Sequence, residues 1–290
     1  MPLTEAPRSI VTTLEQPTPD YTVTGTIHDD DTADVTVSDR DGNPTNEKVP
    51  GGVKVQLRAL KDGEVVVVLD ENGNEIDLLE KSLVEGRTAY CLLDSSARLT
   101  IKYNAKPFKD VTEDMVSYNA VRFTSSHELF QGYSDDEFRP ATPMNRSMLV
   151  AVLWRLEDKP EMVNGQNIFP DVSDSAYYTE AMKWATAAGI TQGYSDGSFR
   201  PYEPITRQAM ATLMYRYMRY ANFDVSQKGD LNQFSDKDRV GAYARESLEW
   251  AVGAGIIGGK ADGTLDPLGN ATRAQVALML QRMVTVMVKP

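Results

Sequence analysis

Between Phe108 and Arg273 three landmarks recur in the same order at nearly the same spacing, and this repetition limits the fold more than any local propensity. A Phe-x-Asp stretch opens each copy, as FKDV at Phe108, FPDV at Phe169 and FSDK at Phe234. A glycine follows at Gly132, Gly193 or Gly259, and then an arginine at Arg146, Arg207 or Arg273. From the first copy to the second, all three landmarks advance by 61 residues. From the second to the third they advance by 65, 66 and 66, which puts one extra residue early in the third copy. Such registration marks a tandem repeat of one structural unit.

Each copy reads as a helix, a turn and a second helix. The first helix carries Phe123, Trp184 or Trp250, nine residues before its glycine. The second shows apolar residues at i, i+3, i+4 and i+7: Leu149, Val152, Leu153 and Leu156; Met210, Leu213, Met214 and Tyr217; Val276, Met279, Leu280 and Met283. One continuous stripe per helix must pack against something apolar. A two-helix unit of about 60 residues buries little alone, so the expectation is that three units pool their stripes in a central bundle with pseudo-threefold symmetry. Asn145, Thr206 and Thr272 precede the second helices as N-caps, and Gln275 completes a capping box with Thr272.

The middle copy, FPDVSDSAYYTEAMKWATAAGITQGYSDGSFRPYEPITRQAMATLMYRYM, resembles a surface-layer homology (SLH) repeat. That family's pattern is F-x-D-V, a helix containing W-A, then G-I-x-x-G, a D-G-x-F-x-P turn and a T-R-A-E helix start. The resemblance spans roughly residues 106 to 287 and leaves out the N-terminal third. The first copy departs with MNRSM, Phe123 and SHELFQG; the third departs with Lys260 and TLDP. None keeps the final acidic residue of T-R-A-E, for Met148, Ala209 and Gln275 stand there. The resemblance implies a three-pronged spindle of repeats within one monomer. Its inter-repeat grooves would bind cell-wall polysaccharide, commonly through a pyruvylated N-acetylmannosamine, or else modified peptidoglycan. It implies no catalysis and no cofactor. Carried onto this chain, it points to Arg146, Arg207 and Arg273, the opening aspartates Asp110, Asp171 and Asp236, Trp184 and Trp250, and Gly132, Gly193 and Gly259 as groove residues.

An arginine in the first helical turn is electrostatically misplaced, because that end already carries partial positive charge. It becomes intelligible if an anion arrives: unpaired helix N–H groups and a planar guanidinium fork together suit a carboxylate, and a pyruvate ketal supplies one. The alternative is a permanent lock to a loop aspartate, Asp135, Asp196 or Asp262. The opening aspartates can cap the following segment or accept sugar hydroxyls. The tryptophans can stack on a sugar or fill a core. The glycines suit positive φ or close backbone approach. The SDGSF turn lacks the further ligands of a calcium loop.

Before residue 106 the pattern changes. YTVTGTI, ADVTVSD, VKVQLRAL, EVVVVLD, TAYCLL and ARLTIKY are strand-like, with DGNP, KDGE and ENGNE as turns between them. Val65 to Leu69, the Asn72-Gly73 turn and EIDLL predict a hairpin. The chain is thus read as α+β: a linker over 1–20, a β-rich module over 21–105, sandwich or part of one, then repeats over 106–167, 168–230 and 231–290. The opening residues suggest a piece of a longer exported protein whose signal peptide lies outside it.

A net charge of -12 and a pI near 4.7 oppose a nucleic-acid partner or an anionic membrane surface. No apolar run is long enough to insert in a membrane. Cys91 within AYCLL reads as a buried, inert thiol, His28 and His127 have no ligand-spaced neighbours, and HDDD reads as a solvated acidic turn. Two rivals to wall anchoring remain: a lattice-assembly module contacting protein neighbours, and an enzyme with its site in the β-rich region, where no nucleophile–base pair or metal cluster is apparent.

Overall fold

The computed structural model describes residues 8–58, 60–61, 63–161 and 167–290. Nine strands come first, then six α-helices among the described residues. The strands are β1 (Ser9–Leu14), β2 (Thr22–Ile27), β3 (Ala33–Ser38), β4 (Val53–Arg58), β5 (Val65–Leu69), β6 (Glu75–Leu78), β7 (Ser82–Glu85), β8 (Thr88–Leu93) and β9 (Ala97–Lys102). The helices are α1 (Tyr118–Ser126), α2 (Arg146–Leu156), α3 (Thr179–Ala187), α4 (Arg207–Tyr220), α5 (Arg245–Gly253) and α6 (Arg273–Val288). The chain divides into two compact units. The first takes the strands with Arg122–His127 and Met283–Pro290; the second takes Phe108–Val121 and Glu128–Arg282.

In the first unit, alternation builds two antiparallel sheets, ordered β1-β4-β8-β7 and β2-β3-β9-β5-β6. Successive side chains point to opposite faces, so Val53, Val55 and Leu57 of β4 bury while Lys54, Gln56 and Arg58 do not. Ala89, Cys91 and Leu93 of β8 join them, facing Ala33, Val35 and Val37 of β3 in one apolar core. Burial pushes the Cys91 thiol up to about 12, as an inert core cysteine requires. The β5–β6 hairpin forms as its Asn-Gly signal predicts.

Two strands escape the sequence reading. Ser9–Leu14, placed in a linker above, pairs along its length with β4, from Ser9 opposite Arg58 to Leu14 opposite Val53. Its alternation is weak to the eye because β1 is an edge strand with no fully buried side chain. The four-residue β7 is held by β8. Met1 to Pro7, the rest of that supposed linker's start, lie outside the described residues.

His127 belongs to this unit and is 1% exposed. Its Nδ1 lies 2.8 Å from the Phe123 carbonyl and its Nε2 3.0 Å from the Ser82 hydroxyl. Burial lowers its pKa from 6.5 to about 4, so the folded state holds it neutral. The unfolded chain takes up a proton first as pH falls, so stability present above pH 6.5 drains away down to about pH 4. The loss should reach about 3 kcal/mol. Urea unfolding at pH 7 and pH 4.5 should show this acid sensitivity in the parent chain and a smaller one in His127→Gln.

From Phe108 onward the pattern is helix–turn–helix three times over. All twelve stripe residues of α2, α4 and α6 are buried. Helix α2 packs on α3, α4 packs on α5, and α2 also meets α4. In these first two repeats the second helix rests on the first helix of the next. No described helix is long and apolar enough to cross a membrane.

Candidate functional site

The helix caps form as their residue types dictate. Asn145 Oδ1 accepts the Met148 N–H at 2.9 Å, and Thr206 Oγ1 accepts that of Ala209 at 3.3 Å. Thr272 and Gln275 exchange both bonds of a capping box. The first two N–H groups of each helix, expected to be open to an anion, are instead taken by another repeat. Arg146 N and Ser147 N donate to Glu203 O and Pro201 O. Arg207 N and Gln208 N donate to Gly269 O and Pro267 O, and Arg273 N and Ala274 N to Thr142 O and Pro140 O. With the cap serving the third N–H, the helix start binds backbone carbonyls in place of a ligand. Local sequence rules cannot show this, because the acceptors lie far along the chain.

The arginine side chains follow the same cyclic order. Arg146 Nε donates to Phe199 O of the second repeat at 2.9 Å. Arg207 donates to the third repeat, through Nε to Leu265 O at 2.9 Å and Nη2 to Gly258 O at 3.0 Å. Arg273 donates back to the first, through Nε to Phe138 O and Nη2 to Gln131 O, both at 2.8 Å. Three backbone bonds link the same repeats in the opposite sense: Met144 N to Ala271 O, Ala271 N to Ile205 O, and Ile205 N to Met144 O.

The guanidiniums are buried, with Arg146, Arg207 and Arg273 only 7%, 4% and 5% exposed. Burial pulls each pKa below the usual arginine value. Among the described residues none of the three has a carboxylate within ion-pair distance. The aspartate lock does not form: Asp196 accepts from Ser198 and pairs with Arg200 at 2.8 Å, while Asp262 binds Thr264. A lock exists, but its acceptors are neutral carbonyls.

Asp110, Asp171 and Asp236 shape the loops that supply those carbonyls. Each spends both oxygens on two consecutive backbone N–H groups of its own repeat: Phe138 and Arg139, Phe199 and Arg200, Leu265 and Asp266. They clamp a distant loop, not the segment that follows them. The second residue of each pair has positive φ, at 59°, 55° and 53° for Arg139, Arg200 and Asp266, a strained backbone that the carboxylate helps to hold.

Gly132, Gly193 and Gly259 sit where the opening phenylalanine presses on the chain. An added Cβ would fall 2.7 Å from the Phe108 ring at Gly132 and 2.6 Å from Phe234 at Gly259, and would clash with Phe169 at Gly193. Of the three only Gly193 has positive φ, so close approach is their shared requirement. Trp184 and Trp250 are 2% and 1% exposed and have no face to offer a sugar. They pack edge-on or tilted against Tyr217, Tyr220 and Tyr215 as core.

Sequence reading missed a second set of arginines at the same repeat spacing. Arg155, Arg216 and Arg282 each donate to a carbonyl 26 residues back, Leu129, Ile190 and Ile256, tying the second helix to its own repeat's turn. Their advances of 61 and 66 residues were the available signal.

The family model for the S-layer homology domain matches residues 107–147, 168–211 and 233–277. The chain carries three S-layer homology domains. It is 26% identical over 269 residues, 89% of its length, to an amylopullulanase of Thermoanaerobacterium thermosulfurigenes. It is 29% identical over 168 residues, 55% of its length, to a cellulosome-anchoring protein of Acetivibrio thermocellus. A surface-layer 125 kDa protein of Lysinibacillus sphaericus is 30% identical over 158 residues, 53% of this chain. These matches span 14%, 36% and 13% of the relatives' own lengths.

The glycine argument predicts an ordering. Gly197, at φ +80° with nothing near its would-be Cβ, should lose about 1 kcal/mol as Gly197→Ala. Gly193→Ala adds the clash with Phe169 and should lose roughly 2–4 kcal/mol. Urea denaturation of both variants checks the difference.

Proposed function

We propose that the SLH unit holds its protein on the outer cell surface by binding an acidic wall polysaccharide, of the pyruvylated N-acetylmannosamine kind, at one or more of the arginine junctions. One observation carries this reading: three buried guanidiniums bond only to neutral carbonyls, in a chain of net charge -12. A guanidinium has five N–H donors. Among the described residues, Arg146 spends one of them, and Arg207 and Arg273 spend two each. The carbonyls satisfy geometry but carry no charge, and the carboxylates that act on the guanidiniums, Glu203, Asp266, Asp236 and Asp110, stay beyond ion-pair distance, so part of the cost of desolvating each cation is not offset. A ligand carboxylate offsets that cost and can take two parallel bonds at once.

The cyclic order of links, from first repeat to second to third and back, supports a pseudo-threefold trimer within one chain. On this reading Asp110, Asp171, Asp236 and the three glycines serve the site through the loops they hold, not by touching sugar. Anchoring is a binding equilibrium and asks for no catalytic group. The printed names of the cellulosome-anchoring and surface-layer relatives fit the same role.

Purified wall sacculi should sediment the chain, and sacculi stripped of polysaccharide or lacking pyruvylation should leave it in solution. Equal retention by intact and stripped walls overturns the reading. Arg273→Ala should weaken retention by roughly 1.5–3 kcal/mol through loss of charged hydrogen bonds. It should also lower the melting temperature, because Phe138 O and Gln131 O lose their donor. Binding measured well below that temperature separates the two effects.

A further inference from the structure

The three junctions are built alike but furnished differently. Two of them combine an arginine from one repeat, the residue after the turn glycine from a second, and the residue two before the first helix of a third: Tyr194 and Tyr243 at Arg146, Tyr133 and Tyr177 at Arg273. The same repeat positions counted from Arg207 hold Lys260 and Val116.

The first two sets are brought together around their guanidiniums. Arg146 lies 4.7 Å from the Tyr194 ring centre and 5.1 Å from that of Phe199. Arg273 lies 4.4 Å and 5.3 Å from Phe138 and Phe130. Tyr243 and Tyr177 are near enough to act electrostatically on Arg146 and Arg273 respectively, as are Tyr194 and Tyr133. Tyr133, Tyr177 and Tyr243 are 56%, 62% and 59% exposed and so offer aromatic surface to a ligand. A second arginine stacks on the inner ring in each case, Arg200 at 4.0 Å over Tyr194 and Arg139 at 3.6 Å over Tyr133, which fixes the ring's orientation at low entropic cost.

At Arg207 that stacked pair is replaced by an ion pair, Lys260 with Asp266. Two carboxylates, Asp266 and Asp236, act on the Arg207 guanidinium. Arg146 and Arg273 each feel one, Glu203 and Asp110. Among the described residues no ring lies over the Arg207 guanidinium, as Tyr194 does over Arg146 and Phe138 over Arg273, and of its two neighbouring carboxylates Asp266 is already paired with Lys260.

Resting on the anchoring reading, we infer that the Arg146 and Arg273 junctions are the two sites for the acidic sugar, each gripping its carboxylate with arginine while tyrosines take the ring face, and that the Arg207 junction is not a site. The probe is pyruvylated N-acetylmannosamine titrated calorimetrically into the whole chain, with the unpyruvylated sugar as control. Two equivalents should bind. Tyr194→Ala and Tyr133→Ala should each weaken one of them at least tenfold, Tyr194→Leu and Tyr133→Leu should do the same if bulk without an aromatic face is not enough, and Lys260→Ala should leave both unchanged. Three equal sites, or a site lost on Lys260→Ala, overturns the two-site assignment while anchoring stands. A parent chain that binds neither the probe nor intact sacculi overturns anchoring itself.

Discussion

The helical unit depends on one contact made three times: an arginine at the start of a helix donating Nε to a loop carbonyl of another repeat. Around it, the first helical N–H groups and a circuit of backbone bonds among Met144, Ile205 and Ala271 use up donors that would otherwise need water. The loop that receives the arginine is itself bent through positive φ and clamped by its repeat's opening aspartate. Each part presupposes the others: the glycine admits the phenylalanine, the aspartate holds the turn, and the turn presents its carbonyl to the next arginine. No repeat completes this set from its own residues.

That mutual dependence bears on the recognition role proposed for these contacts. Hydrogen bonding and charge compensation are separable demands, and a peptide carbonyl meets only the first. Burial lowers the pKa of all three guanidiniums, and the carboxylates near them act the other way without reaching ion-pair distance. A fold that buries cations against neutral acceptors keeps its junctions in register without a ligand, yet gains from any anion that reaches them.

Periodicity made the helices legible, because the i, i+3, i+4, i+7 stripes of α2, α4 and α6 are a local property of the chain, and all twelve residues proved buried. The strands from β2 to β9, apart from β7, were legible for the same reason. Strand β1 was not: Thr12, Thr13 and the prolines beyond it read as linker, and only pairing with β4 makes it a strand. The arginines were legible as positions but not as contacts. Arg273 meets Phe138 across 135 residues, and no rule about helix ends reports that a remote loop has filled the vacancies. The tryptophans turned out to be core because packing decides their surroundings, which residue type alone leaves open.

The repeat arithmetic misleads when quality is judged one copy at a time. The second copy lies nearest the family pattern, so its arginine, Arg207, looks like the strongest binding residue in the chain. But Arg207 reads the loop of the third copy, the one that exchanges tyrosine for Lys260 and arginine for Asp266. The well-kept loop of the second copy, with Tyr194 and Arg200, serves Arg146 of the first. Because every junction draws its parts from different repeats, a change in one copy's loop alters the contacts of a neighbour's arginine and leaves those of its own arginine in place.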